Sequence, residues 1–179
     1  MNKILLTCCI LLANIKNTPA QQPADVQGNI SQPFVLGETV SLPSGILQET
    51  RVLNIYLPEV YGMDSTRTFP VIYLLDGSAN EDFIHTCGLV QFLTMTETLP
   101  PTIVVGIANI DRKRDFTFPT TITKDKTDYP TTGGSGKFID FDALELQPFI
   151  NKHYRTNHKN TIIGQSLGGL VATEILFNK

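Results

Sequence analysis

The residue pattern predicts an α/β fold, with a mostly parallel sheet covered by helices on both faces. Three observations predict it. Short continuous apolar runs recur at 70–77, 102–109 and 161–164, each the length of a strand and each ending in a turn signal. A strand buried on both faces by helices reads this way. A helical pattern follows each run, and strands alternating with helices argue for parallel pairing. Finally, the third run leads directly into Gly164-Gln165-Ser166-Leu167-Gly168, a glycine-framed serine at a strand-to-helix junction.

The elements follow in order. Met1-Asn2-Lys3 is a short positive start, and residues 4–13 form an apolar run interrupted only by Thr7. The run falls short of the roughly 20 residues that a membrane-spanning helix takes. It fits the core of an export signal over residues 1–20, with small residues at Thr18-Pro19-Ala20 and cleavage expected near Ala20. An apolar N-terminal strand or anchor is the alternative. Residues 21–33 are polar and punctuated by Pro and Gly, and read as a disordered start of the mature chain. The folded domain itself is expected over 34–179.

Within it, residues 34–42 and 51–57 read as a hairpin joined near Pro43-Ser44-Gly45. The alternation of Arg51-Val52-Leu53-Asn54-Ile55 suggests a half-exposed strand. Residues 58–70 are turn-rich. The buried strand 70–77 precedes a helix over 82–99, closed by Pro100-Pro101. A second buried strand, 102–109, leads into a long polar stretch, 111–136, expected as a loop. Its Arg112-Lys113-Arg114, bracketed by Asp111 and Asp115, reads as solvated. Residues 137–154 have helical spacing through Phe138, Phe141, Leu144 and Phe149, with a kink expected at Pro148. Strand 161–164 and a helix over 167–177 complete the order.

Composition narrows the function. The 179 residues are 41% hydrophobic and 17% charged, as an ordinary globular domain is. The formal charge of -3 offers no basic footprint for nucleic acid. Cleavage near Ala20 would remove Lys3, Lys16, Cys8 and Cys9. Cys87 would then stand alone, so the mature chain would rely on its core rather than on an internal disulfide. His85, His153 and His158 lack metal-site spacing, and no metal or cofactor is expected. Gly133-Gly134-Ser135-Gly136-Lys137 is not a phosphate loop, because Thr131 and Phe138 occupy two of its required positions.

The chemistry lies in the Gly164–Gly168 motif. A turn this sharp puts the serine in a strained backbone, and side chains at the flanking glycine positions would collide with it. Ser166 is lifted above the C-terminal edge of the sheet, at a helix N-terminus that favours negative charge. This makes Ser166 the candidate nucleophile and the Leu167 N–H a candidate oxyanion donor. The bland alternative is a glycine-rich helix start with a capping serine. The strand–turn–helix context favours the nucleophile. A second donor is expected from the turn after a neighbouring strand, and the Ser78 N–H beyond Asp76-Gly77 is the candidate. The alternative is that Asp76-Gly77 is only a turn.

The sequence resembles the putative esterase family of α/β-hydrolases from about Phe34 to its last residue. That family includes siderophore and feruloyl esterases, S-formylglutathione hydrolase and mycolyltransferases. The resemblance rests on residues 69–77, 103–107, 111–116 and 164–169, and is strongest to the siderophore-esterase-like exported hydrolases. It implies an α/β-hydrolase fold and a serine ester hydrolase acting on a small-molecule ester. It agrees with Ser78 as an oxyanion donor. One departure is Gln165, where the family often has His.

The larger departure is the ending. In this fold the triad runs Ser, then Asp or Glu, then His. After Ser166 come Glu174 and no His. The triad acid and base are therefore expected outside this chain, which reads as the N-terminal part of the fold and as inactive by itself. The competing readings are an acyltransferase and a non-catalytic exported binding domain on the same scaffold. The protein is expected to be exported, periplasmic or secreted, without stable membrane insertion after cleavage.

Overall fold

The structure is a computed structural model and describes residues 32–178. The expected export signal over 1–20, and residues 21–31 of the expected disordered start, lie outside the described residues.

A hairpin comes first. Strands β1 (Glu38–Ser44) and β2 (Glu49–Tyr56) pair antiparallel, with Val40 opposite Leu53. The turn falls at 45–48, slightly later than the sequence suggests. Pro43 stays within β1 because β1 is an edge strand, where proline is tolerated. After a short 3-10 turn at Glu59–Tyr61 come strand β3 (Phe69–Leu74), helix α1 (Phe83–Met95) and strand β4 (Ile103–Ile107). Helices α2 (Arg112–Asp115), α3 (Thr123–Asp128), α4 (Ser135–Phe141) and α5 (Gln147–His153) follow. Strand β5 (Thr156–Ile163) and helix α6 (Leu167–Asn178) end the described chain.

The sheet order is β1-β2-β4-β3-β5. Strand β3 pairs parallel with both β4 and β5, whereas the hairpin joins β4 antiparallel. The sheet is thus mixed, and its parallel part carries the turns of interest. Alternation along the strands divides the core between two faces. Val71, Tyr73 and Leu75, with Ile103, Val105 and Ile107, pack with Phe138, Phe141, Leu146, Ile150 and Val171 from α4 to α6. Ile72, Leu74 and Val104 pack on the other face with Phe83, Cys87 and Val90 from α1. Helices therefore cover both faces. Cys87 is buried, and desolvation pushes its thiol up to about 12.

The expected helix over 137–154 is found as α4 and α5, joined by a π-helical segment at Asp142–Leu146. Pro148 lacks the N–H that would bond one turn back, and the wider turn lies just before it. Strand β5 is longer than the apolar run 161–164 and is an edge, so much of it is exposed.

Two expectations fail, and buried ion pairs to the hairpin account for the first part of the stretch. The stretch 111–136 is not one loop, and Arg112-Lys113-Arg114 is not simply solvated. Arg51 points inward on the same strand face as Leu53 and Ile55, while Val52 points out. Both Arg51 and Asp115 are 0% exposed, and they form an ion pair. Glu49 lies 2.6 Å from Arg51 and from Arg114, whose Nε donates to Asp115 at 2.7 Å. A buried guanidinium needs such partners. The pairs anchor α2 against the hairpin, which shortens the loop into helical turns.

Candidate active site at the C-terminal rim of β3 and β5

Strands β3 and β5 run parallel, with Leu74 opposite Ile163, and the Leu75 N–H donates to the Ile163 carbonyl at 2.9 Å. The turns after both strands therefore leave the sheet at the same end. One carries Asp76, Gly77 and Ser78, and the other carries Gln165 and Ser166.

Ser166 is exposed and has φ +54, a left-handed backbone between β5 and α6. Such a conformation is uncommon for a residue other than glycine and is a form of local strain. Close packing forces the turn. A Cβ on Gly164 would lie 2.6 Å from the backbone carbon and oxygen of Gly168. Leu167 begins α6, and the first N–H groups of a helix have no partner within it. Thr117, Phe118, Thr120, Asp125, Tyr129 and Thr132 line a cavity of about 160 Å³ together with Leu167 and Leu170 of that helix.

The Asp76 turn is equally tight. Asp76 has φ +54, and a Cβ on Gly77 would lie 2.3 Å from the Gly106 Cα. The Ser78 N–H faces a Glu81 carboxylate oxygen at 3.4 Å. Ser78-Ala79-Asn80-Glu81 has the spacing of a capping box, in which the acid reaches back to the first N–H. That signal is visible in the sequence. Ser78 thus sits at the same rim as Ser166, with its N–H shared with Glu81.

Polar side chains tie the two turns together. Asp76 is 6% exposed and accepts from Arg112 Nε and Nη2 at 2.5 and 2.9 Å and from Asn109 Nδ2 at 2.7 Å. Arg112 also donates to the Gln165 carbonyl at 3.2 Å. The hydrogen bonds that Arg112 donates to Asp76 raise the Arg112 pKa, so the guanidinium stays charged. The Gln165 side chain donates to Asp82 at 2.9 Å. Sequence reasoning missed Arg112, Asp76 and Asp82, because they meet only when β3, α1, α2 and the turn after β5 converge.

The histidines lie elsewhere. His85, on the first turn of α1, has an exposed ring 3.9 Å from Asp82. His153 Nδ1 meets the Phe149 carbonyl at 2.8 Å at the end of α5, and His158 lies in the first half of β5. Among the described residues, no hydrogen bond links any of them to Ser166. Glu174 lies on α6, about two turns from Ser166. No described helix is long and apolar enough to cross a membrane.

The chain is similar to several known proteins. It is 30% identical over 166 residues to the ferri-bacillibactin esterase BesA of Bacillus subtilis, covering 85% of this chain and 57% of that one. An IroE-like serine hydrolase from Shewanella oneidensis superposes with a TM-score of 0.69 at 39% identity, covering 78% of this chain and 46% of the other. The siderophore hydrolase EstA from Aspergillus nidulans shares the fold, with a TM-score of 0.71 at 22% identity, covering 84% and 56% of the two chains. The 179 residues thus span about half the length of these relatives. The family described as "Putative esterase" matches residues 44–176, and the strand–turn–helix geometry around Ser166 agrees with that match. The chain belongs to the Putative esterase family and has the α/β-hydrolase fold.

Proposed function

We propose that the protein hydrolyses carboxylic esters of small molecules through an acyl-enzyme on Ser166. The Ser166 Oγ attacks the ester carbonyl, and the alcohol leaves as the acyl–oxygen bond breaks. Water then releases the acid and restores the serine. The Leu167 N–H and the Ser78 N–H hold the oxyanion. Glu81 must turn away for the second donor to act. The observation that carries this reading is the left-handed Ser166 between β5 and α6, at the sheet end where the Asp76-Gly77-Ser78 turn also lies.

The name of BesA points to siderophore esters as the substrate class. A serine hydroxyl attacks well only when a base takes its proton. With no histidine hydrogen-bonded to Ser166 among the described residues, we assign the base and its orienting acid to residues outside these 179. The chain by itself is then inactive. We read residues 1–20 as an export signal, which would put the mature protein in the periplasm or outside the cell.

The test uses the complete gene product that carries these residues, with ferri-bacillibactin and an activated aryl ester as substrates. Ser166→Ala should lower kcat by at least about 1,000-fold. Intact mass should show an acyl adduct on the unaltered protein only, and an exported product that begins at Gln21. Retained activity in Ser166→Ala would rule out the nucleophile assignment. The 179-residue chain should give no Ser166-dependent rate. Such a rate, lost again in His85→Ala, would show that His85 serves as the base.

A further inference from the structure

Arg112 touches the Gln165 carbonyl that precedes the candidate nucleophile, yet it lies 53 residues away along the chain, on α2. Its fork meets the fork of Asp76 at 2.5 and 2.9 Å, and its Nη2 also reaches the Gln165 carbonyl at 3.2 Å. That carbonyl accepts a second hydrogen bond, from the Gly168 N–H at 2.8 Å. Gly168 in turn packs on Asp76, since a Cβ there would lie 3.2 Å from the Asp76 Oδ2. The Phe116 ring backs the guanidinium, with 5.5 Å from Cζ to the ring centroid. One charged plane therefore joins the end of β3, α2 and the first turn of α6.

We propose that Arg112 is a positioning residue for Ser166, fixing the Gln165–Ser166 peptide by bridging the Asp76 carboxylate and the Gln165 carbonyl. The inference rests on the reading of Ser166 as the nucleophile. A left-handed backbone at a residue other than glycine persists only where its surroundings over-determine it. The bridge supplies such a constraint, since it holds the carbonyl whose orientation sets the start of the turn. It also keeps the buried Asp76 carboxylate paired, so that its charge does not oppose an oxyanion forming nearby. Lysine cannot replace it. A single ammonium lacks the planar fork that meets a carboxylate and a carbonyl together.

Two readouts test this. In the complete gene product, Arg112→Lys and Arg112→Ala should each lower kcat by about 100-fold with KM changed less than about threefold. Added guanidinium ion should restore part of the rate of Arg112→Ala. In the same complete gene product, the Gly168 amide should exchange its hydrogen at least about tenfold faster in both variants. A kcat within about twofold of the unaltered protein, or unchanged exchange at Gly168, overturns the proposal. If Arg112→Ala loses its circular-dichroism signature of folding, Arg112→Lys decides. If Ser166→Ala keeps the activity, the nucleophile reading falls, and Gly168 exchange alone still decides whether Arg112 holds the turn.

Discussion

At Gly164 a single methyl group separates a tight turn from an overpacked one. A Cβ there would sit 2.6 Å from the Gly168 backbone and 2.9 Å from the Leu75 Cδ1. The first neighbour is main chain and cannot swing aside as a side chain would. Gly164→Ala must therefore push β5 from α6 and shift Ser166. Overpacking of this kind costs about 3 kcal/mol. We expect a fall in Tm of about 10 °C for the 179-residue chain, measured by differential scanning calorimetry. An unchanged Tm would mean that the turn relaxes freely and that the close packing does not force the Ser166 backbone.

Among the elements, the π-helical segment between α4 and α5 carries a buried acid. Asp142 is 4% exposed, and burial pushes its carboxyl up to about 6. Gln147 donates to one of its oxygens at 2.8 Å and accepts from Asn160 of β5 at 2.9 Å. Its other oxygen is buried without a hydrogen bond, as is the Tyr73 hydroxyl. The unfolded chain releases this proton near pH 4. Between pH 4 and 6 the folded state holds the proton and the unfolded state does not. Stability from this group is thus complete below about pH 4 and is lost as pH rises through about 6. The loss is on the order of 3 kcal/mol. Asparagine cannot charge and keeps the acceptor for Gln147. Asp142→Asn should therefore match the unaltered chain near pH 4 and exceed its Tm at pH 8. A Tm difference that does not vary with pH would contradict the buried-acid assignment.

For the molecule as a whole, the decisive feature is the open side of the sheet. Strand β5 pairs only with β3 and leaves its other edge unpaired among the described residues. Ile163 is 40% exposed on that strand. Beside it lies an apolar groove of about 350 Å³ whose walls include Leu89 and Leu93 of α1 and Thr161 and Ile163 of β5. An open, apolar edge is a template for pairing with another chain. The 179-residue chain should associate at micromolar concentration in light scattering after gel filtration. Ile163→Lys, which puts a charge on the edge, should shift it toward monomer. A sharp monomer peak for the unaltered chain would count against this.

By itself the sequence determined the fold class, the order of the strands and of the helices outside 111–136, and the place of Ser166 between a strand and a helix. These depend on local periodicity and on glycines whose spacing only a sharp strand-to-helix turn requires. The apolar runs 70–77 and 102–109 became β3 and β4, buried on both faces, because their side chains fit either side of a covered sheet. Tertiary structure decided what depends on distant partners. Arg51 and Asp115 look like surface charges in sequence, yet each is buried because the other is there to pair with it. Residues 111–136 read as a loop, but ion pairs to the hairpin fold its first part into α2. The run 161–164 ends an edge strand among the described residues and is largely exposed there. The Arg112 bridge between Asp76 and Gln165 joins residues 36 and 53 positions apart. Hydrophobic periodicity is a local record of which face meets the core, whereas a buried charge is stable only beside a partner that the fold, not the neighbouring sequence, supplies.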